Sequence, residues 1–234
     1  MNLNLLKSYW FVNVNTIASN LVELSGELIM KRNQNVPEET IHRLPRYLRA
    51  LLFLQQSDVE FIPSHGLADY VQLNPPQVRK DLSYFGAFGT RGTGYNVENL
   101  LKKIRQILKL STKQRTVLVG AGRLGTAIAS FGGFERYGFD IADIYDNSKA
   151  KIGKKIGKIT IKDRARLSEI KNKGTKLAII ATPPEVAQEI TDTLVKAGVT
   201  GILNLASCYL VVPKRVKVRT VDLAMELGIL PYYT

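Results

Sequence analysis

Cysteine occurs once in the 234 residues, at Cys208, and histidine only twice, at His42 and His65. A lone thiol excludes an intrachain disulfide and any metal site built from cysteines. Cys208 therefore reads as a small buried side chain near a strand end. The two histidines stand apart from any acidic cluster, so no metal is expected. Long apolar runs are missing as well, and none approaches the length of a membrane span. The opening MNLNLLKSYWFVNVNTIASNL carries one Lys and is interrupted by Asn, which makes a poor signal peptide. A soluble chain in a reducing cytoplasm is the expectation, with no membrane partner.

Acidic residues are also scarce. Twenty Asp and Glu stand against 33 Lys and Arg, leaving a net charge of +13, while 45% hydrophobic and 23% charged residues are ordinary for a globular protein. The excess is concentrated: Arg79 to Arg115 holds nine Lys/Arg against only Asp81 and Glu98. Clustered cations of this kind favour a polyanionic partner, here nucleic acid, over a merely soluble surface.

Residues 1–35 differ from the rest of the chain, being Asn-rich with patchy helical spacing, and Met30 before KRNQNVPEET offers a second start. We treat them as an extension of unknown role. A winged-helix DNA-binding domain is expected over 36–112. Ile41, Leu44, Leu48, Leu51 and Leu52 recur at helical spacing, with Pro45 expected to bend that helix. A short helix around Leu67, Ala68 and Val71 comes next. Asn74 is then a good N-cap and Pro75 suits the first turn of the following helix. Two short helices so joined make a helix-turn-helix, whose second member enters the major groove. Its outer face carries Gln77, Arg79, Lys80 and Ser83. Gln suits adenine edges, Arg suits guanine, and all four suit phosphate. GAFGTRGTGY follows, a glycine-rich wing whose tip near Arg91 fits a minor groove. Asn96 caps a further amphipathic helix through Leu108.

A second domain is expected over 113–221. Strands and helices alternate there, with strands at Val117–Gly120, Ile141–Tyr145, Ile156–Ile161, Leu177–Ala181, Gly201–Leu205 and Val216–Val221. Leu167–Ile170 is expected within a helix. The pattern implies a parallel sheet covered on both faces. Its first strand runs into Gly120-Ala121-Gly122-Arg123-Leu124-Gly125 and then a helix. That is the context of a dinucleotide fingerprint, in which Gly120 makes the turn, Gly122 admits a pyrophosphate and Gly125 lets the helix pack closely. Asp146 lies 21 residues beyond Gly125, at the end of the second strand, where a carboxylate accepts from ribose hydroxyls and repels a 2′-phosphate. NAD(H) is the expected cofactor. The fold class is α/β, an N-terminal winged helix plus a C-terminal Rossmann domain.

RKDLSYFGAFGTRGTGY (79–95), VGAGRLGTAI (119–128), VKAGVTGILNLAS (195–207) and VPKRVKVRTVDLAMEL (212–227) resemble the Rex family of redox-sensing transcriptional repressors. The resemblance runs from about Pro37 to the C-terminus. It implies a homodimer that binds pseudo-palindromic double-stranded operators of fermentative and respiratory genes when NADH is low and is released by NADH. It matches Gly120, Gly122, Gly125 and Asp146 to the cofactor fingerprint, and Arg79, Lys80 and Arg91 to the DNA-contacting helix and wing. Arg49 and Asp222 match positions whose salt bridge links the winged helix of one subunit to the sensor domain of the other. Phe131 departs from the family, standing where a Tyr hydroxyl commonly helps to switch the acid at Asp222. Ala181-Thr182 and Ser207 replace more typical residues on the nicotinamide side, and Gly66 weakens the first helix of the helix-turn-helix. Gly228 and Pro231 fall in 222–234, the segment expected as a helix exchanged between subunits, and both disfavour helix.

Two other functions fit parts of this pattern. One is an NAD-dependent oxidoreductase with a basic accessory domain, although 113–234 contains no histidine to serve as acid/base. The other is a DNA-binding dimer whose nucleotide site is degenerate.

Overall fold

The computed structural model describes residues 36–90 and 92–233, so the 1–35 extension and Arg91 lie outside the described residues. The chain divides into two compact units between Lys109 and Leu110.

In the first unit α1 spans Glu38–Gln56, β1 Phe61–Ile62, α2 Ser64–Val71, α3 Pro75–Ser83, β2 Gly89–Thr90, β3 Gly94–Asn96 and α4 Val97–Ile107. Leu44, Leu48, Leu51, Leu67, Val71, Val78, Leu82, Leu100 and Ile104 are buried, each on the apolar stripe of its helix. Pro45 sits inside α1, yet the helix continues for its full 19 residues. Both Pro45 and Ile41, whose carbonyl loses its helical donor, lie on the exposed side, where that carbonyl is open to solvent. Asn74 caps α3 by accepting the Gln77 N–H at 2.8 Å, with Pro75 at the first helical position. Gln72, in the left-handed region at φ 54°, ends α2 and starts the turn into α3. The strands form one antiparallel sheet in the order β1-β3-β2, with β2 and β3 making the wing. Asn96 caps α4 through the Asn99 N–H at 3.0 Å.

The second unit is built on β4 Gln114–Val119, β5 Phe139–Asp146, β6 Lys155–Ile156, β7 Ile159–Asp163, β8 Leu177–Ile180, β9 Gly201–Asn204 and β10 Lys217–Thr220. The sheet order is β10-β9-β8-β4-β5-β7-β6, parallel throughout except for the β6–β7 pair. Helices α5 Arg123–Ser130 and α6 Gly133–Arg136 contribute to one core, with Leu118, Ile144 and Ile179. Helix α7 Pro184–Lys196 and the 3-10 run Arg164–Lys173 cover the other face, around Val117, Val119, Tyr145 and Ile180. Neighbours along β4 thus alternate between the two cores, as the two-residue period of a strand requires.

Two elements differ from expectation. Ile156–Ile161 is a two-residue hairpin, because Gly157 at φ +57° turns β6 back on β7. Leu167 and Ile170 lie in a 3-10 run, with Gly174 in the left-handed region ending it. At the C-terminus α8 spans only Leu223–Leu227, Gly228 ends it, and Leu230–Tyr233 forms a 3-10 turn.

Candidate nucleic-acid interface and nucleotide site

The apolar spacing of α3 places Val78, Asp81 and Leu82 on its inner face, and all three are buried. Asp81 is fully buried and accepts five hydrogen bonds. They come from Arg43 Nε (2.6 Å) and Nη2 (2.8 Å), Thr40 Oγ1 (3.2 Å), Tyr47 Oη (3.0 Å) and Gln77 Nε2 (2.7 Å). Three of the donor residues stand on α1, so one carboxylate bolts α3 to α1. Burial works to raise its pKa, but the bonds from Arg43, Gln77 and Tyr47 prevail and hold it below the usual carboxylate value. Burial, and after it the Asp81 charge, pushes the Tyr47 phenol well up, so that it stays a donor.

Outward from this anchor, Arg79, Lys80 and Ser83 are exposed together on α3. Arg79 Nη1 donates to Ser64 Oγ at 3.1 Å, tying α3 to the first turn of α2. A hollow of about 600 Å³ opens beside them, lined by Ser64, Arg79, Leu82, Gly89, Thr90 and Tyr95 between the helix pair and the wing. Gln77 is placed differently. It is half-buried and its Nε2 donates one N–H to Asp81, which leaves the second N–H and Oε1 as the pair that could meet adenine. Sequence reasoning missed Asp81 as a structural anchor. Its spacing from Val78 and Leu82 was the available signal, since a carboxylate on an apolar stripe needs buried donors.

The nucleotide turn lies where the sheet order reverses direction, between β4 and β8, the usual ligand crevice of such a sheet. Gly120 adopts φ +101°, and a Cβ there would meet the Ala181 carbonyl oxygen at 2.3 Å. A Cβ on Gly125 would lie 1.8 Å from the Gly120 carbonyl oxygen, so only glycine lets α5 start this close to the strand. Gly122 is the opposite case: a Cβ would meet nothing within 4 Å, which leaves an open cradle over the turn. Ala121 is buried, Arg123 and Leu124 lie at the mouth, and the leading N–H groups of α5 have no carbonyl within the helix to bind. Across the switch point Thr182 Oγ1 is buried without a hydrogen-bond partner.

Asp146 ends β5 beside this turn. Its Oδ2 accepts the Ala121 N–H at 2.7 Å and Lys151 Nζ at 3.4 Å, while Oδ1 accepts the Ser148 N–H at 2.8 Å. Burial opposes the charge, but the two N–H groups and Lys151 lower its pKa, keeping an ionised acceptor at the rim. Phe131 follows α5, 64% exposed and edge-on to Phe134. Asp222 caps α8 by accepting the Ala224 and Met225 N–H groups at 3.0 and 3.3 Å, and Arg49 is exposed on α1 in the first unit. Among the described residues no group of three or more His, Cys, Asp or Glu could hold a metal, and no helix is long and apolar enough to cross a membrane.

A helix-turn-helix with a wing and a Rossmann sheet with a glycine turn at its switch point define a DNA-binding protein class with a nucleotide-binding fold. The family comparisons divide the chain in the same way. Residues 35–83 match the model for a putative DNA-binding protein N-terminus, and residues 111–208 match the CoA binding domain model. The redox-sensing transcriptional repressor Rex of Brevibacillus brevis is 42% identical over 87% of this chain and 99% of its own length. That of Chloroflexus aurantiacus is 43% identical over 87% and 97%. Among solved structures, RSP in complex with β-NAD+ and operator DNA is 36% identical with a TM-score of 0.79, covering 86% of this chain and 93% of its own. RSP in complex with β-NADH is 34% identical with a TM-score of 0.78, covering 86% and 95%. The chain belongs to the Rex family of redox-sensing transcriptional repressors.

Proposed function

We propose that this chain is an NAD(H)-responsive repressor that holds operator DNA when NADH is low and releases it when NADH binds. The observation that carries this is one chain of a redox-sensing repressor family with an exposed cationic face on α3 and an open glycine cradle at a Rossmann switch point. Arg79, Lys80 and Ser83, with Arg91 of the wing, meet the DNA, and Asp81 sets the attitude of α3. Gly120–Gly125 and the first turn of α5 receive the pyrophosphate. Asp146 accepts from the adenosine ribose, and Thr182 Oγ1 offers an unused polar atom on the nicotinamide half. When bound, the dinucleotide supplies the redox signal, since its oxidised ring carries a positive charge that the reduced ring lacks.

The working form is a homodimer in the cytoplasm. Leu223, Met225, Leu227, Ile229, Leu230, Tyr232 and Tyr233 are each more than half exposed, an apolar segment suited to burial against a second copy. Arg49 and Asp222 form the link between DNA and nucleotide states, a coupling that requires NADH to favour one arrangement over the other. We read the chain as a regulator without a catalytic step of its own. Fluorescence anisotropy on palindromic operator DNA, with NADH, NAD+ and neither, tests the reading. NADH should weaken binding, and indifference to NADH would reject the sensor role.

A further inference from the structure

The net charge of +13 is not carried mainly by the winged-helix unit. Residues 110–234 hold 20 Lys/Arg against 11 Asp/Glu, whereas 1–109 hold 13 against nine, so nine of the surplus charges belong to the sheet unit. That surplus lies between Lys149 and Lys176, where 11 Lys/Arg stand against only Asp163 and Glu169. The stretch is denser in cations than 79–115.

Part of it is spent on carboxylates. Lys162 and Lys173 flank Asp143, Lys151 meets Asp146 at 3.4 Å, and Arg166 meets Glu169 at 2.8 Å. Lys149, Lys154, Lys155 and Lys158 are exposed, and among the described residues none of the four has an ion pair. Glu135, whose charge reaches Lys158, is bonded instead to Lys113 at 2.6 Å. Lys154 and Lys155 stand where β6 begins, Gly157 and Lys158 make the turn into β7, and β6 is the last strand of the sheet. The hairpin is fixed by bonds from the Gly153 N–H to the Ile161 carbonyl (2.9 Å) and from the Ile161 N–H to the Lys154 carbonyl (2.8 Å). The free cations thus stand on a rigid rim. Isolated charges guard a sheet edge from pairing, but residues 149–162 hold six Lys and no acid.

The chemistry of this rim selects its partner. Between Phe131 and Tyr209 no large apolar side chain is exposed among the described residues. The rim therefore lacks both the apolar anchors of a membrane-surface site and the aromatic platforms on which single-stranded bases stack. Lysine is also depleted from protein–protein interfaces. Compact ammonium charges without planar forks suit the phosphates of a duplex and read no bases.

We propose that the β6 rim, with Lys154, Lys155 and Lys158 at its centre, is a second and sequence-independent DNA-backbone site, gripping duplex beyond the bases met by α3 and the wing. The proposal rests on the reading of the chain as an operator-binding protein. Its test measures anisotropy of the full chain across a salt series, on a minimal palindromic operator and on the same operator within a longer duplex. Lys154→Gln/Lys155→Gln/Lys158→Gln removes the rim, and Lys196→Gln/Lys214→Gln/Arg215→Gln removes the same charge elsewhere. For wild type and this control, log Kd should rise with log salt more steeply on the long duplex by about 2.7 or more, three phosphates per chain at about 0.9 each. A fourfold rise in salt then weakens the long complex about 40-fold more than the short one. The rim variant should give one slope on both lengths, with wild-type affinity for the minimal operator and an unchanged NADH titration. A wild-type slope difference in the rim variant overturns the proposal. So does its loss in the control, which would assign the effect to net charge. Equal slopes in the wild type, with rim-dependent sedimentation on phosphatidylserine vesicles, overturn it in favour of a membrane surface. If wild type binds the minimal operator but shows equal slopes, the rim alone fails. If it does not bind that operator, the functional reading fails first.

Discussion

In the winged-helix unit the exposed cations of α3 are held in place by a buried side chain, Asp81, which gathers donors from α1 and from α3 itself. In the sheet unit the nucleotide turn is held mostly by main chain: the Gly120 N–H donates to the Tyr145 carbonyl at 2.8 Å and Gly125 packs against the Gly120 carbonyl, while the Asp146 carboxylate adds a bond from the Ala121 N–H at 2.7 Å. The difference reflects what each surface must present. DNA is met by long side chains on a rigid helix, so the helix as a whole needs an anchor. A pyrophosphate is met by N–H groups, so the backbone itself must reach it and side chains must be absent.

The sharpest way to break the comparison is at the glycines. Gly125→Ala should destabilise the sheet unit by about 4 kcal/mol or more, because its methyl collides with backbone that has no room to move. Gly122→Ala should change stability by less than about 0.5 kcal/mol and weaken NADH binding instead. Thermal unfolding and nicotinamide fluorescence separate the two, and equal losses of stability would refute the division of roles.

Asp81→Asn tests the other unit. Removing one side of a buried ion pair should cost about 3 kcal/mol in denaturant unfolding and abolish DNA binding, while NADH titration of the folded protein stays unchanged. A variant that unfolds normally and still binds DNA would show that α3 needs no such anchor.

Acid distinguishes the sheet unit further. Asp143 is buried on β5 among Arg115 (2.7 Å), Lys173 (2.9 Å) and Lys162. Burial works to raise its pKa, but these three cations prevail and lower it from 3.8 to about 2. A depressed carboxylate contributes stability above its unfolded pKa and loses it as pH falls through the folded one. The unit should therefore lose about 2 kcal/mol between about pH 4 and about pH 2, and Asp143→Asn should remove that dependence.

The smallest effects lie on the outer face of α3. Lys80→Ala should weaken operator binding by about 1–2 kcal/mol and relax sequence preference, since the side chain is exposed on α3, the helix we propose for the major groove. Arg79→Ala, held beside Ser64 next to the wing, should weaken binding alike on all sequences and flatten its salt dependence. Anisotropy on operator and scrambled DNA decides between these assignments.

What could be read from the chain was local. Asn74-Pro75 marks the start of α3 because a cap and a first-turn proline act within four residues. Gly120, Gly122, Gly125 and the strand-end Asp146 stand at separations set by a strand, a turn and a helix. The alternation of strands and helices implied a parallel sheet before any contact was known. Distant pairings were not legible: Asp81 finds Arg43 38 residues away, and Asp143 finds Lys173 30 residues away. Nothing in spacing distinguishes those lysines and arginines from solvated ones. The β6–β7 hairpin was missed because Gly157 interrupts a run that otherwise alternates like one strand.

The sequence by itself determined the two fold types and the family, since each depends on periods and turns that a few consecutive residues specify. Tertiary structure alone decided which polar groups are spent inside. It tied one N–H of the Gln77 amide to Asp81 and surrounded Asp143 with cations. Those choices depend on which segments fold against each other, and a buried charge accepts whichever donor the fold brings within about 3 Å.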